Sequence, residues 1–114
     1  MTKILVYGTL KKGFGNNTLL SNSEFVTKGV IKGEMYSLGG FPAITEGDNN
    51  ILGEVYEVND STLDSIDGLE GHPNWYKREI VIVITDEGKT KAWVYFMKKT
   101  EINQKQVVKS GVWI

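Results

Sequence analysis

The sequence predicts an α+β domain: a mixed, strongly curved or barrel-like β-sheet with one or two short helices. Three observations predict it. Most of the chain runs in alternating, β-branched or aromatic stretches separated by glycine-bearing turns. A helical period stands out between Asp60 and Gly71, and no repeat, linker or low-complexity tract interrupts the chain. At 114 residues the chain suits one domain and is short for two, so residues 1–114 are expected to build any site within a single core.

Lys3 to Tyr7 is a short apolar run ending in Gly8, and it reads as a buried first strand entering a loop that extends to Asn17. Thr18-Leu19-Leu20 begins a short helix or turn. Phe25 to Leu38 alternates loosely around Gly29 and Gly33, the pattern of a bent or bulged strand. Gly39-Gly40-Phe41-Pro42 reads as a loop, because paired glycines weaken both helix and strand and proline removes a ladder donor. Ile51 to Val58 resumes period-two alternation as a strand. Asp60 to Gly71 then reads as a helix, with Ser61 and Asp64 in a capping-box pattern and Gly71 and Pro73 as its stop. Tyr76 to Thr85 and Lys89 to Lys98, joined by Asp86-Glu87-Gly88, form a hairpin, and Val107 to Ile114 supplies a last short element.

Composition narrows the function classes. Thirteen basic against fourteen acidic residues leave a formal charge of −1, which offers no broad positive field to nucleic acid or anionic lipid, so neither partner is expected. The longest aliphatic run, Ile80 to Ile84, is five residues, too short to cross a bilayer. Ile4 to Tyr7 falls far short of a signal-peptide core, and a cytoplasmic location is expected. With no cysteine and His72 as the sole histidine, a metal centre is not expected. No serine lies in a nucleophile elbow. Oligomeric state is not set by these features.

One acid stands out. Leu63, Ile66 and Glu70 occupy positions i, i+3 and i+7 of the helix, which at about 100° per residue puts Glu70 within about 20° of Leu63 and along the apolar stripe. Burial and the negative end of the helix dipole both disfavour its ionisation, raising its pKa toward neutrality, as a general base for an amine requires. Asp64 and Asp67 are expected to reach solvent or the helix start in structural roles. A salt bridge from Glu70 to Lys77 or Arg78 across the following turn, or a rotation of the helix that leaves Glu70 in water, is the competing account.

The loop Gly8-Thr9-Leu10-Lys11-Lys12-Gly13 follows a buried strand, where exposed N–H groups can form an anion-binding concavity. The competing account makes Gly8 and Gly13 ordinary turn residues. A phosphate loop needs lysine and Ser/Thr after its second glycine, whereas Phe14 follows Gly13, so nucleotide binding through Lys11 and Lys12 is disfavoured.

Taken in order, Val6-Tyr7-Gly8-Thr9-Leu10, the Gly39 to Ile44 segment with its Phe-Pro, Leu69-Glu70-Gly71 and Tyr76-Lys77-Arg78 resemble the gamma-glutamylcyclotransferases. The resemblance is to their small branch of gamma-glutamylamine cyclotransferases and AIG2-like proteins, and it spans nearly the whole chain. It implies that Tyr7, Gly8, Thr9 and Leu10 hold a glutamyl group largely through backbone groups, that Glu70 is the acid/base, and that Tyr76 and Tyr95 line the pocket. It further implies conversion of a gamma-glutamyl compound to 5-oxoproline and a free amine, with no cofactor. Val112 departs from a family ending that often carries aspartate before the tryptophan, which touches substrate scope more than reaction type. A non-catalytic module binding gamma-glutamyl or carboxylate ligands is the alternative function.

Overall fold

The computed structural model describes residues 1–102 and 106–114. Its elements are β1 (Thr2–Val6), a 3-10 helix (Gly15–Leu20), β2 (Glu24–Ser37), β3 (Pro42–Val58) and α1 (Asp60–Glu70), followed by β4 (Tyr76–Thr85), β5 (Gly88–Met97), α2 (Lys99–Ile102) and β6 (Gln106–Val107). The sheet is mixed. β1 lies between β3, antiparallel, and β5, to which it runs parallel through Ile4 and Trp93. β5 pairs antiparallel with β4 along its length, and β4 meets β2 at Ile84 and Val30. β2 in turn pairs with β3, so the strand order β3-β1-β5-β4-β2 returns to its start and closes into a barrel-like sheet.

The curvature comes from the long β2–β3 hairpin. Its register shifts between Phe25 and Thr27 and again between Gly33 and Glu34, and each irregularity bends the strand and increases its twist. The second shift leaves Glu46, Gly47 and Asp48 without partners on β3. That polar stretch is why β3 begins at Pro42 and not at Ile51 as the alternation suggested: Glu46 to Asp48 are exposed, so no apolar period marks them. Proline is tolerated as the first residue of the strand, where a donor is least needed.

β1 shows why its sequence is continuously apolar. Ile4 and Val6 face one cluster with Ile66 and Tyr95, while Leu5 faces another with Ile31, Met35 and Val55, so both faces of the strand are buried. α1 lies over the first cluster through fully buried Ile66 and half-buried Leu63. Its N-cap is Asn59, whose side chain accepts from the Thr62 N–H at 2.7 Å. The expected Ser61 box is therefore corrected by two residues: the Asn59 amide oxygen reaches the first turn from outside the helix. The C-terminal segment pairs with β2 only over Gln106–Val107; beyond it, Val108 donates to Met35 O at 2.8 Å and Leu52 to Gly111 O at 2.9 Å.

Candidate active site

Glu70 is the last residue of α1, and its placement follows from how the helix stops. Gly71 adopts φ 65°, ψ 34°, a left-handed conformation open to glycine, and its N–H closes onto the last helical carbonyls. His72 N–H returns to Asp67 O at 3.0 Å and Trp75 N–H to Gly71 O at 2.8 Å. This tight turn, which contains a cis His72–Pro73 bond, delivers Trp75 and Tyr76 beside Glu70.

The loop after β1 faces them. Gly8 lies so close to Pro42 that a Cβ there would stand 2.7 Å from Pro42 Cγ, a contact no side chain could make without displacing the proline. The loop is fastened from its far side: Asn16 Nδ2 donates to Thr9 Oγ1 at 2.9 Å, Asn17 Nδ2 to Leu10 O at 2.8 Å, and Lys11 N–H to Gly8 O at 3.0 Å. Among the described residues, no acceptor takes the N–H groups of Gly8, Thr9 or Leu10. Lys11 is spoken for, its Nζ donating to Trp113 O at 2.7 Å and sitting 5.3 Å from the Phe14 ring centre.

Between loop and helix lies a cavity of about 260 Å³. Tyr7, Gly8, Thr9 and Leu10 line it from the loop, Glu70 from α1, and Tyr76 and Tyr95 from the sheet, so all seven residues picked from the sequence border one space. Phe41 and Trp75 form its rim, edge to face with centroids 5.6 Å apart. Asn16 and Leu69 also line it; both were missed, since neither residue type nor local spacing marked them.

The three phenols are structural donors. Tyr7 Oη donates to Tyr95 O at 2.7 Å, Tyr76 Oη to Pro42 O at 2.8 Å, and Tyr95 Oη to Asp67 Oδ1 at 2.6 Å. Burial pushes all three above the usual tyrosine range, and the nearby Glu70 charge adds to the shift. They remain neutral walls.

Glu70 is the exception among the polar groups of the cavity. Burial raises its carboxyl from 4.5 to about 7, with no partner among the described residues to counter it. The salt-bridge account fails because among the described residues neither Lys77 nor Arg78 pairs with Glu70; Arg78 is taken, its Nε and Nη2 donating to Asp67 at 2.9 and 3.2 Å and its guanidinium lying 4.6 Å from the Trp93 ring centre. Asp67 is thereby corrected from a solvent-facing acid to a half-buried tie between α1, β4 and β5. Burial alone would raise its carboxyl, but hydrogen bonds from Arg78 and Tyr95 together with the Arg78 charge hold it below the usual range. Asp67 follows Leu63 by four positions, so it borders the apolar stripe, and nothing in the local sequence names Arg78 as its partner.

The profile of the family described as gamma-glutamyl cyclotransferase, AIG2-like, matches residues 4–114. The chain belongs to that family. This gamma-glutamyl cyclotransferase, AIG2-like chain is 46% identical over 102 residues to a Methanocaldococcus jannaschii protein assigned by name, without a demonstrated activity, to the gamma-glutamylcyclotransferases; the match covers 84% of each. It is similar to the solution structure of an Escherichia coli protein, with a TM-score of 0.74, 29% identity and coverage of 99% of this chain and 96% of that one. The E. coli protein is named as a member of the gamma-glutamylcyclotransferase family. A mouse AIG2-like crystal structure shares the fold, with a TM-score of 0.84 at 24% identity over 96% of this chain and 86% of that one. Among the described residues of this AIG2-like chain, no helix is long and apolar enough to cross a membrane.

Proposed function

We propose that the protein cyclises a gamma-glutamyl amine or gamma-glutamyl amino acid to 5-oxoproline and releases the free amine, with Glu70 as general acid/base. The observation that carries this reading is a carboxyl without a partner among the described residues, pushed by burial up to about 7, in the wall of a cavity also lined by Gly8, Thr9 and Leu10, whose N–H groups no described residue accepts. At neutral pH such a group is divided between its two forms and can both take and return a proton.

In this reading the backbone N–H groups hold the glutamyl moiety and stabilise the oxyanion that forms on the γ-carbonyl oxygen as the amine attacks. Glu70 takes a proton from the α-ammonium, and the freed amine attacks the γ-carbonyl to close a five-membered ring. Glu70 then gives its proton to the leaving nitrogen as the C–N bond breaks, and the second ammonium proton follows the same route to the released amine. Nucleophile and electrophile belong to one molecule, so the cavity's main task is to hold it folded in a near-attack geometry. The tyrosine rings and the loop supply that shape.

The test is mass-spectrometric detection of 5-oxoproline from purified protein offered a panel of gamma-glutamyl amines and amino acids. Product is expected from wild type, with turnover about 100-fold or more lower for Glu70→Gln. Absence of 5-oxoproline across the panel, or intact turnover by Glu70→Gln, refutes the reading.

A further inference from the structure

The cavity is well suited to a glutamyl group and poorly suited to anything more. Its volume of about 260 Å³ lies just below the ~300–1,000 Å³ of ordinary ligand pockets. Lysine and arginine are both missing from its lining. A group attached to the leaving nitrogen must therefore project out, and the rim has a second space beside it. A cleft of about 400 Å³ lies on the far side of Trp75, and Trp75 lines both. Three lysines border this cleft: Lys77 in β4, Lys98 just after β5 and Lys99 at the start of α2.

The hairpin register brings them together. The first pair of β4 and β5 is Tyr76 with Met97, and one residue beyond it stand Trp75 and Lys98; Lys77 pairs with Phe96. None of the three lysines makes an ion pair among the described residues. They outnumber the two carboxylates of the cleft, Glu46 and Glu79. The resulting arrangement is a phenol-walled cavity with Glu70 in its wall and no lysine or arginine among its lining residues, whose exit past an indole leads to a shelf where lysines outnumber carboxylates.

Resting on the cyclisation reading, we propose that the preferred substrates carry a carboxylate on the leaving group, as a gamma-glutamyl amino acid or peptide does and a simple gamma-glutamyl amine does not. Lys77, Lys98 and Lys99 receive that carboxylate. In a gamma-glutamyl amino acid the carboxylate is attached to the carbon next to the scissile nitrogen, so it emerges at the cavity mouth, where Trp75 divides the two spaces. The shelf is solvent-facing, so each charged contact contributes about 1.5- to 5-fold, and the whole is expected to reach about 5- to 10-fold.

The probes are gamma-glutamylalanine and gamma-glutamylalanine amide, which differ at the leaving-group carboxyl alone. Wild type is expected to favour the acid by about 5- to 10-fold in kcat/KM at low ionic strength, with the ratio shrinking toward one in about 0.5 M salt. Lys77→Ala/Lys98→Ala is expected to bring the ratio near one, and Lys98→Glu to invert it. Equal turnover of the two probes by wild type, or an unchanged ratio in both lysine variants, overturns the proposal. Calorimetric binding of the same probes to Glu70→Gln reads the ratio without chemistry. If that protein prefers the acid while wild type yields no 5-oxoproline, the shelf stands and the cyclisation reading falls; equal affinity for both probes removes the shelf whatever the turnover.

Discussion

Replacing Glu70 with glutamine is expected to stabilise the fold, whatever it does to the proposed turnover, and the stabilisation is expected to depend on pH. Burial raises the carboxyl from 4.5 to about 7, and at about 1.4 kcal/mol per tenfold change this corresponds to about 3 kcal/mol. Below about pH 4.5 folded and unfolded chains both keep the proton, and the native state bears no penalty. As pH rises the unfolded chain ionises first, so it binds fewer protons than the folded one and stability falls. The loss is complete once pH passes the folded pKa of about 7. Glutamine keeps the shape and has no proton to lose. Urea unfolding of wild type and Glu70→Gln at about pH 4.5, 6 and 8.5 measures the difference, which should grow across the series to about 3 kcal/mol in favour of the variant. Parallel pH dependence of the two proteins would refute the argument, because it would mean that the carboxyl is not held in a medium that resists its charge.

Three further outcomes follow from the same geometry. For the cyclisation reading, kcat/KM should climb with pH along a limb centred near 7, the value that burial gives Glu70, since the base acts in its ionised form; a flat profile between about pH 5 and 8 counts against it. Gly8→Ala should cost more activity than stability, because its Cβ, 2.7 Å from Pro42 Cγ, must move the loop that carries the unclaimed N–H groups; activity equal to wild type would show that the loop is not the binding surface. Tyr95→Phe removes the 2.6 Å bond to Asp67 and should lower stability by about 1.5 kcal/mol, the low end for hydrogen bonds to charged groups because Asp67 is half-buried; a change within about 0.3 kcal/mol in denaturant melts would show that Arg78 alone satisfies the carboxylate.

What the sequence made legible divides along a physical line. The helix around Ile66, its Gly71 stop, the bend of β2 and the β4–β5 hairpin all rest on local period or on a residue with a fixed backbone habit, and all are present. Glu70's departure from the apolar pattern of its helix is likewise a local fact, and Glu70 lines the cavity that the loop after β1 also borders. The first half of β3 escaped because Glu46 to Asp48 are exposed and leave the pairing register. Asp67 was misplaced because its partners, Arg78 and Tyr95, lie 11 and 28 residues along the chain, a separation that no helical wheel contains. Lys11 was a similar case: the sequence raised it only as a disfavoured nucleotide contact, and its ammonium reaches a carbonyl 102 residues away.

The hydroxyl hydrogens of Tyr7, Tyr76 and Tyr95 all end on fixed protein acceptors, and this has a consequence for anyone redesigning the pocket. Among the described residues, the loop's donors without an acceptor include the main-chain amides of Gly8, Thr9 and Leu10, which no codon change can delete without inserting proline. On the cyclisation reading, the glutamyl end is held by groups that a substitution can displace, as Gly8→Ala does, but cannot recode, and new specificity is engineered at the aromatic rim and the lysines beyond it.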